Sequence, residues 1–400
     1  MARQSRGFTL IELMVSSSVT FITVLAVSAA FLGYTQSFYT QAGIRGGQAS
    51  LRQTHLMVVR NLRMAGYGME PALAFDFPKD WHRKSIDSVN RSDELLFRMR
   101  NPAYNAVATK ATEAAITLND KGTPEALRKG QILQVMCPGA IAWTYARLSE
   151  DVDKGALVLP LAPPRAESGK GVFPYLNEFS KSSCFNASGT SSAAVVNVFK
   201  IDVYDYKVRL IDDDGVASTP SRPYLFRRHG LGEKDETSAY GEPVAEDIEA
   251  MRVTFVRENG APFVPDATAT APDYTTPAGD TLRQNNSPAN IRAVVIGLVA
   301  RSTTRDVGAS SNSMNQIPSF GRVPADEGSA GAVEPALLKN PGTNLNVPSG
   351  FRRIVSEMSV QIRNMRSSQM PVPVYTLETG SSSTACKGGL PSDNFNCAGG

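Results

Sequence analysis

Residues Ser5–Leu13 read SRGFTLIEL, and the architecture of the chain turns on this stretch and its continuation. The head before it, MARQSRG, carries Arg3 and Arg6 and no acid. Apolar character begins at Phe8, and one carboxylate, Glu12, sits four residues inside the run. From Leu13 to Tyr34 no further charge occurs. A helix from Phe8 to Tyr34 extends roughly 40 Å at 1.5 Å per residue, more than the ~30 Å hydrocarbon layer. The segment can therefore span a bilayer, with its basic end held in the cytoplasm. An acid in a spanning helix costs a few kcal/mol, less near the interface. Glu12 therefore calls for a partner or a role.

Three readings fit the length of the segment. A secretory signal peptide would use Ala26-Val27-Ser28 as a loose small-x-small cleavage site. An uncleaved signal anchor would keep everything. Both leave Glu12 unexplained. The third accounts for it: the segment resembles the class III signal of type IV prepilins and pseudopilins. That signal is a short basic leader ending in Gly, then Phe-Thr-Leu-Ile-Glu, here Gly7, Phe8, Thr9, Leu10, Ile11 and Glu12. The resemblance implies that prepilin peptidase cuts between Gly7 and Phe8 on the cytoplasmic side, that Phe8 is N-methylated, and that the apolar helix is kept. It also implies that Glu12 docks on the positive N-terminus of a neighbouring subunit. Opposite charges buried together among apolar helices offset part of each other's desolvation cost. A carboxylate in the first helical turns also meets the positive end of the helix dipole.

Past Tyr34 the sequence becomes amphipathic. Leu51, His55, Val58 and Leu62 share one face at helical spacing, with Arg52, Arg60 and Arg63 available to the polar side. Gly43, Gly46 and Gly47 each weaken a helix by about 1 kcal/mol relative to Ala, and predict a kink or unwound turn. Gly66, Gly68 and Pro71 predict a stop. One long helix from about Phe8 to Ala65 is expected, its second half packed on a globular head, with His55 as a packed core histidine.

Beyond Pro71 no helix of comparable strength is expected; a short one is predicted over Pro124–Lys129, PEALRK. Composition is that of a globular protein, 42% apolar and 20% charged, and Gly (32) and Pro (25) favour short strands and loops. Strands are predicted at Glu94–Met99, Gln131–Met136, Ala156–Leu161, Ala194–Leu210, Tyr224–Arg228, Ala250–Arg257, Ile291–Arg301 and Phe351–Arg363. Val203, Asp205, Lys207 and Arg209 alternate with Tyr204, Tyr206, Val208 and Leu210. Asp212-Asp213-Asp214-Gly215 reads as a hairpin turn. Pro262–Pro288, Ser302–Gly350 and Thr376–Gly400 read as long surface loops.

DIEAMRVTFV (Asp247–Val256), IRAVVIGLVARS (Ile291–Ser302) and FRRIVSEMSVQIRNMR (Phe351–Arg366) resemble successive elements of PilW-type minor pilins, as does NLRMAGYG (Asn61–Gly68). The pattern is an acidic, aromatic-bearing strand, an apolar strand ending in Arg-Ser, and an Arg-rich strand closing on Arg-Asn. Pro71 to about Val195 resembles nothing nameable. The resemblance implies a type IV pilus assembly protein that joins other minor pilins in priming assembly and capping the pilus tip. Its partners would be those minor pilins, the major pilin, prepilin peptidase and the inner-membrane pilus assembly machinery. A J-type minor pseudopilin of a type II secretion system is the rival within the class. A membrane-tethered tip adhesin for a surface ligand, with roles in adhesion and twitching motility, is compatible with the first reading.

Catalytic chemistry finds little support. The three histidines, His55, His82 and His229, lie outside any G-x-S-x-G or H-E-x-x-H context, and His82 and His229 read as solvated surface. No phosphate-binding or dinucleotide fingerprint occurs, and the chain is expected not to be an enzyme. Calcium is the one cofactor considered, at Asp212–Asp214, but three adjacent Asp do not supply the alternating oxygens of a calcium loop. Trp81 and Trp143 read as buried, and Arg222, Arg227 and Arg228 as a solvated strand edge. The net charge of +3, with signs interspersed, gives no reason to expect nucleic acid. Four cysteines behind an export-type N-terminus predict disulfides. Cys386 and Cys397 bracket a short loop and pair, which leaves Cys137 for Cys184.

The expected fold is α+β and type IV pilin-like: a long N-terminal helix, transmembrane in its first half, on a large β-rich C-terminal head. The expected divisions are a leader at 1–7, the pilin helix at 8–66 with 8–34 in membrane or filament core, and a head at 67–400. The chain would sit in the inner membrane with its head in the periplasm, and after assembly at the pilus tip on the cell surface.

Overall fold

The computed structural model describes residues 9–69, 71–76, 93–137, 143–164, 177, 179, 183–185, 196–212, 215, 221–229, 241–257, 260, 262–263, 291–303, 322–324, 333–335 and 351–366. The leader, Gly7 and Phe8, the residues His82, Trp81, Asp213 and Asp214, and the predicted Cys386–Cys397 pair lie outside them.

One helix, α1 (Leu10–Leu62), runs unbroken for 53 residues, about 80 Å at 1.5 Å per residue. Its membrane-length portion is exposed as far as Tyr39 except at half-buried Thr35, while Gly43, Gly47, Leu51, Thr54, Val58 and Leu62 are buried. No turn is unwound at Gly43–Gly47, where the helix continues through all three glycines for a packing reason. A Cβ on Gly47 would lie 3.3 Å from Ile354 Cδ1 and 3.5 Å from the Arg301 carbonyl oxygen. The missing side chain lets the helix backbone lie against the head, and that contact outweighs glycine's weak propensity. The helix ends where expected: Gly66 takes φ +75°, and its N–H donates to the Arg98 carbonyl at 2.9 Å.

Sixteen strands are present among the described residues. β1 (Phe75–Asp76), β2 (Leu95–Arg100), β3 (Ala106–Ala111), β4 (Ala115–Leu118), β5 (Ile132–Met136), β6 (Trp143–Arg147), β7 (Val158–Pro160), β8 (Val196–Ile211), β9 (Arg222–His229) and β10 (Gly241–Glu246) form one antiparallel sheet. β11 (Ile248–Arg257), β12 (Pro262–Phe263), β13 (Ile291–Arg301) and β16 (Arg353–Gln361) form a second, in the order β12-β11-β13-β16. β14 (Arg322–Pro324) pairs only with β15 (Val333–Pro335). β8 is the spine of the large sheet. Its first half pairs with β3 and β5 and its second with β2 and β9.

The main core joins helix to head. Leu51, Val58, Leu62 and Ala65 pack with Phe97, Tyr206, Phe255, Ile296, Leu298 and Ile362. Each large apolar side chain buried there contributes about 1.5–3 kcal/mol. A second core fills β3–β7 around Ile116, Leu133, Val135 and Phe179, and includes Cys137. Cys137 and Cys184 are disulfide-bonded, with Cα atoms 6.0 Å apart. A third, smaller core holds Trp143, which is buried as expected.

Several expectations are corrected. PEALRK is not a helix. Leu127 bridges to Val152, Glu125 pairs with Lys200, and the Lys129 N–H donates to Asp151 Oδ1 at 2.7 Å; six residues alone cannot nucleate a helix against such contacts. β8 and β9 pair antiparallel as expected, but β8 ends at Ile211 and β9 starts at Arg222, so the four residues Asp212–Gly215 are not the whole connection; Asp212 Oδ1 accepts the Gly215 N–H at 3.0 Å. Arg222, Arg227 and Arg228 do not form an edge, because β9 lies between β8 and β10. They pair with Asp247, Glu242 and Asp205 respectively. On the polar face of β8, Asp205 is buried while Lys207 and Arg209 are half-buried.

Candidate functional site: the exposed helix and its junction with the head

The helix begins on a capping box. Thr9 is in extended conformation at φ −79°, ψ 149°. Its Oγ1 accepts the Glu12 N–H at 3.4 Å, while Glu12 Oε2 accepts from Thr9 N at 3.2 Å and Thr9 Oγ1 at 3.0 Å. Glu12 thus caps its own helix, a role the Thr-x-x-Glu spacing signals and charge reasoning alone passed over. Both residues are exposed. The carboxylate is therefore held in position and reachable by a second cation.

Beyond Glu12 the helix offers an apolar surface on which six hydroxyls turn back to the backbone. The hydroxyls of Ser16, Ser17, Ser18, Thr20, Thr23 and Thr35 donate to carbonyls three or four residues back at 2.7–3.1 Å. In an apolar medium an unmet donor is costly, so these bonds make Ser and Thr tolerable there. Leu10, Phe21, Ile22, Phe31, Leu32 and Phe38 are exposed. This helix is long and apolar enough to cross a membrane.

At the head, buried ion pairs tie the second sheet together. Glu249 and Arg353 form a forked pair, with Nη2 donating to Oε1 at 2.9 Å. Asp247, at the left-handed φ of +57°, accepts from Arg301 Nε at 3.0 Å and Arg222 Nη2 at 2.8 Å. Arg301 also lies 4.5 Å over the Phe351 ring. Asp93 accepts from Arg252 Nη1 at 2.9 Å and from the Val253 N–H at 2.8 Å, which pins the start of β2 to β11. The acids of DIEAMRV, the Arg-Ser close and the Arg-rich strand are thus partners in one set of contacts. In the structure these charges hold strand ends together.

The histidines are not brought together. His55 is half-buried, 3.4 Å from the Ser356 hydroxyl, and burial lowers its pKa from 6.5. His229 is exposed as expected, but its ring stacks on Tyr204 at 4.3 Å and its Nε2 lies 3.4 Å from Asp202. Asp205 lies 3.2 Å from Arg228 and 3.8 Å from Lys207. Burial, and then the nearby Glu94 carboxylate, outweigh those cations and raise its pKa from 3.8 to about 7.

Among the described residues, a single membrane-length helix runs on into the core of an antiparallel β head. Two family models match parts of the chain. Residues 211–364 match Type IV Pilus-assembly protein W, and residues 2–28 match the prokaryotic N-terminal methylation motif. The first match contains DIEAMRVTFV and IRAVVIGLVARS and most of the Arg-rich strand, and the second contains Gly7, Phe8 and Glu12. No curated protein matches the chain. Among solved structures, a type IV-like pilin from Thermus thermophilus aligns with 80% of this chain and 97% of its own, at 13% identity and a TM-score of 0.28.

Proposed function

We propose that this chain is a non-enzymatic minor pilin of a type IV pilus. Prepilin peptidase removes residues 1–7, Phe8 is N-methylated, and Leu10 to about Tyr34 holds the chain in the inner membrane with its head in the periplasm. On assembly the same helix moves from lipid to the company of other pilin helices, where Glu12 meets a neighbour's N-terminus. With other minor pilins the chain primes the filament and stays at its tip, where the head is placed to act in adhesion and twitching motility. The observation that carries this reading is the helix itself. Its first half is exposed and apolar behind a methylation-motif match, and its second half forms part of the core of a head that matches a pilus-assembly family. A bulky head also suits a tip better than a closely packed shaft.

Deleting the gene and measuring surface pili and protein secretion side by side tests the proposal. Loss of pili with secretion intact is expected. Intact pili with lost secretion would move the chain to the J-type pseudopilins. Intact-mass analysis of the mature chain should begin at methylated Phe8, and a start near Ala29 would overturn the assembly role.

A further inference from the structure

The outer face of α1 beside the head carries an unusual charge pattern. At 100° per residue, Arg45, Arg52, Leu56, Arg60 and Arg63 fall within an arc of about 80°. All five are exposed, Leu56 by 75%. Gly47, Thr54 and Val58, on the opposite side, are buried against the head. No Asp or Glu occurs between Leu13 and Met69, and among the described residues none of the four guanidiniums makes an ion pair. Orientation rules favour arginine on the cytoplasmic side of a spanning segment. Four arginines on the far side therefore ask for another cause.

We propose that this face docks an acidic helix of a different subunit and turns away a second copy of this chain. The inference rests on the minor-pilin reading and names the chemistry of the neighbour. The stripe runs about 27 Å along the helix axis. A lipid headgroup layer lies across that axis, so only Arg45, about 9 Å beyond Tyr39, could reach it. A partner that meets all four must run parallel to α1. Seven residues separate Arg45 from Arg52 and eight separate Arg52 from Arg60, the spacing at which a helix laid alongside repeats one face. That helix would carry Asp or Glu at seven- or eight-residue intervals, with an apolar residue opposite Leu56. A second copy offers no acid on this face, and like charges facing each other repel. The stripe thus makes α1 a poor neighbour for itself and a good one for a subunit of opposite sign.

The test uses the full chain in its own cells, with a photoreactive phenylalanine replacing either Leu56 or, as a control in the apolar segment, Tyr34. Position 56 should cross-link to a different pilin subunit, through a peptide that carries Asp or Glu. R52E/R60E should lower that yield about tenfold, the order expected from losing two exposed pairs and adding repulsion; R52K/R60K should retain it. Cross-linking at position 34 should be unaffected by either change. Three results would overturn the proposal: a yield at 56 indifferent to charge reversal, attachment to phospholipid, or attachment to a second copy. If position 34 cross-links to other pilins and position 56 does not, this proposal fails alone. If neither position does, the minor-pilin reading fails and takes the proposal with it.

Discussion

At the scale of the residue, Glu12 has two employers. Within the chain it closes the capping box with Thr9, a contact of about 1 kcal/mol. In the proposed assembly it also answers a neighbour's N-terminus. Glu12→Gln separates the two, because an amide oxygen can still cap while the charge is gone. Cleavage, read as the mass of the mature chain, should stay normal; recovery of the subunit in sheared filaments should fall at least tenfold. Asp205 permits a second prediction. Its folded-state pKa is raised, so the folded chain holds a proton that the unfolded chain releases. The resulting stability is full below pH 3.8 and is lost as the pH rises to about 7. His55, lowered by burial, acts the opposite way below pH 6.5, and a difference between variants cancels it. Relative to wild type, Asp205→Asn should gain up to about 2 kcal/mol in urea unfolding between pH 5 and pH 8; a constant difference would show that Asp205 ionises normally among Glu94, Lys207 and Arg228.

At the scale of the element, α1 was legible because its signals agree: a motif at one end, helical periodicity in the second half, and glycines at the stop. The three glycines in its middle misled, since propensity is a local quantity and Gly47 serves a distant contact with Ile354 and Arg301. Gly47→Leu should therefore lower stability by about 1–3 kcal/mol, as overpacking does, visible as a drop in melting temperature of the full chain in detergent. The long strands β8, β11 and β13 carry enough Val, Ile and aromatic residues to declare themselves. AVATKA, AITL and WTYAR, at β3, β4 and β6, do not: they are short, three of their residues in β3 are Ala, and their extended form comes from pairing with β8, β7 and β5. The acid–arginine pairs were visible as residues but not as partners. Asp93 and Arg252 stand 159 positions apart, and nothing local links them.

At the scale of the whole molecule, the described part of the head holds separate cores, and the Cys137–Cys184 disulfide belongs to one of them. Cys137–Cys184 closes a 47-residue separation across the core of β3–β7, worth about 4 kcal/mol by loop-closure entropy. Cys137→Ser with Cys184→Ser should loosen that region first. Amide exchange should accelerate at Leu133 and Val135 while Val58 and Leu62, in the helix–head core, keep their protection; uniform acceleration would mean the cores unfold as one. Division of labour on this scale also bears on the helix that leaves the head. Because Ser16, Ser17, Ser18, Thr20, Thr23 and Thr35 bond within their own backbone, the segment presents almost the same face to fatty-acyl chains as to leucine side chains. Neither surrounding would leave these six donors unmet. In the proposed assembly, exchanging lipid for other pilin helices would therefore cost these hydroxyls little in either direction, and the balance between membrane and filament would fall to contacts of the head and to the docking charges.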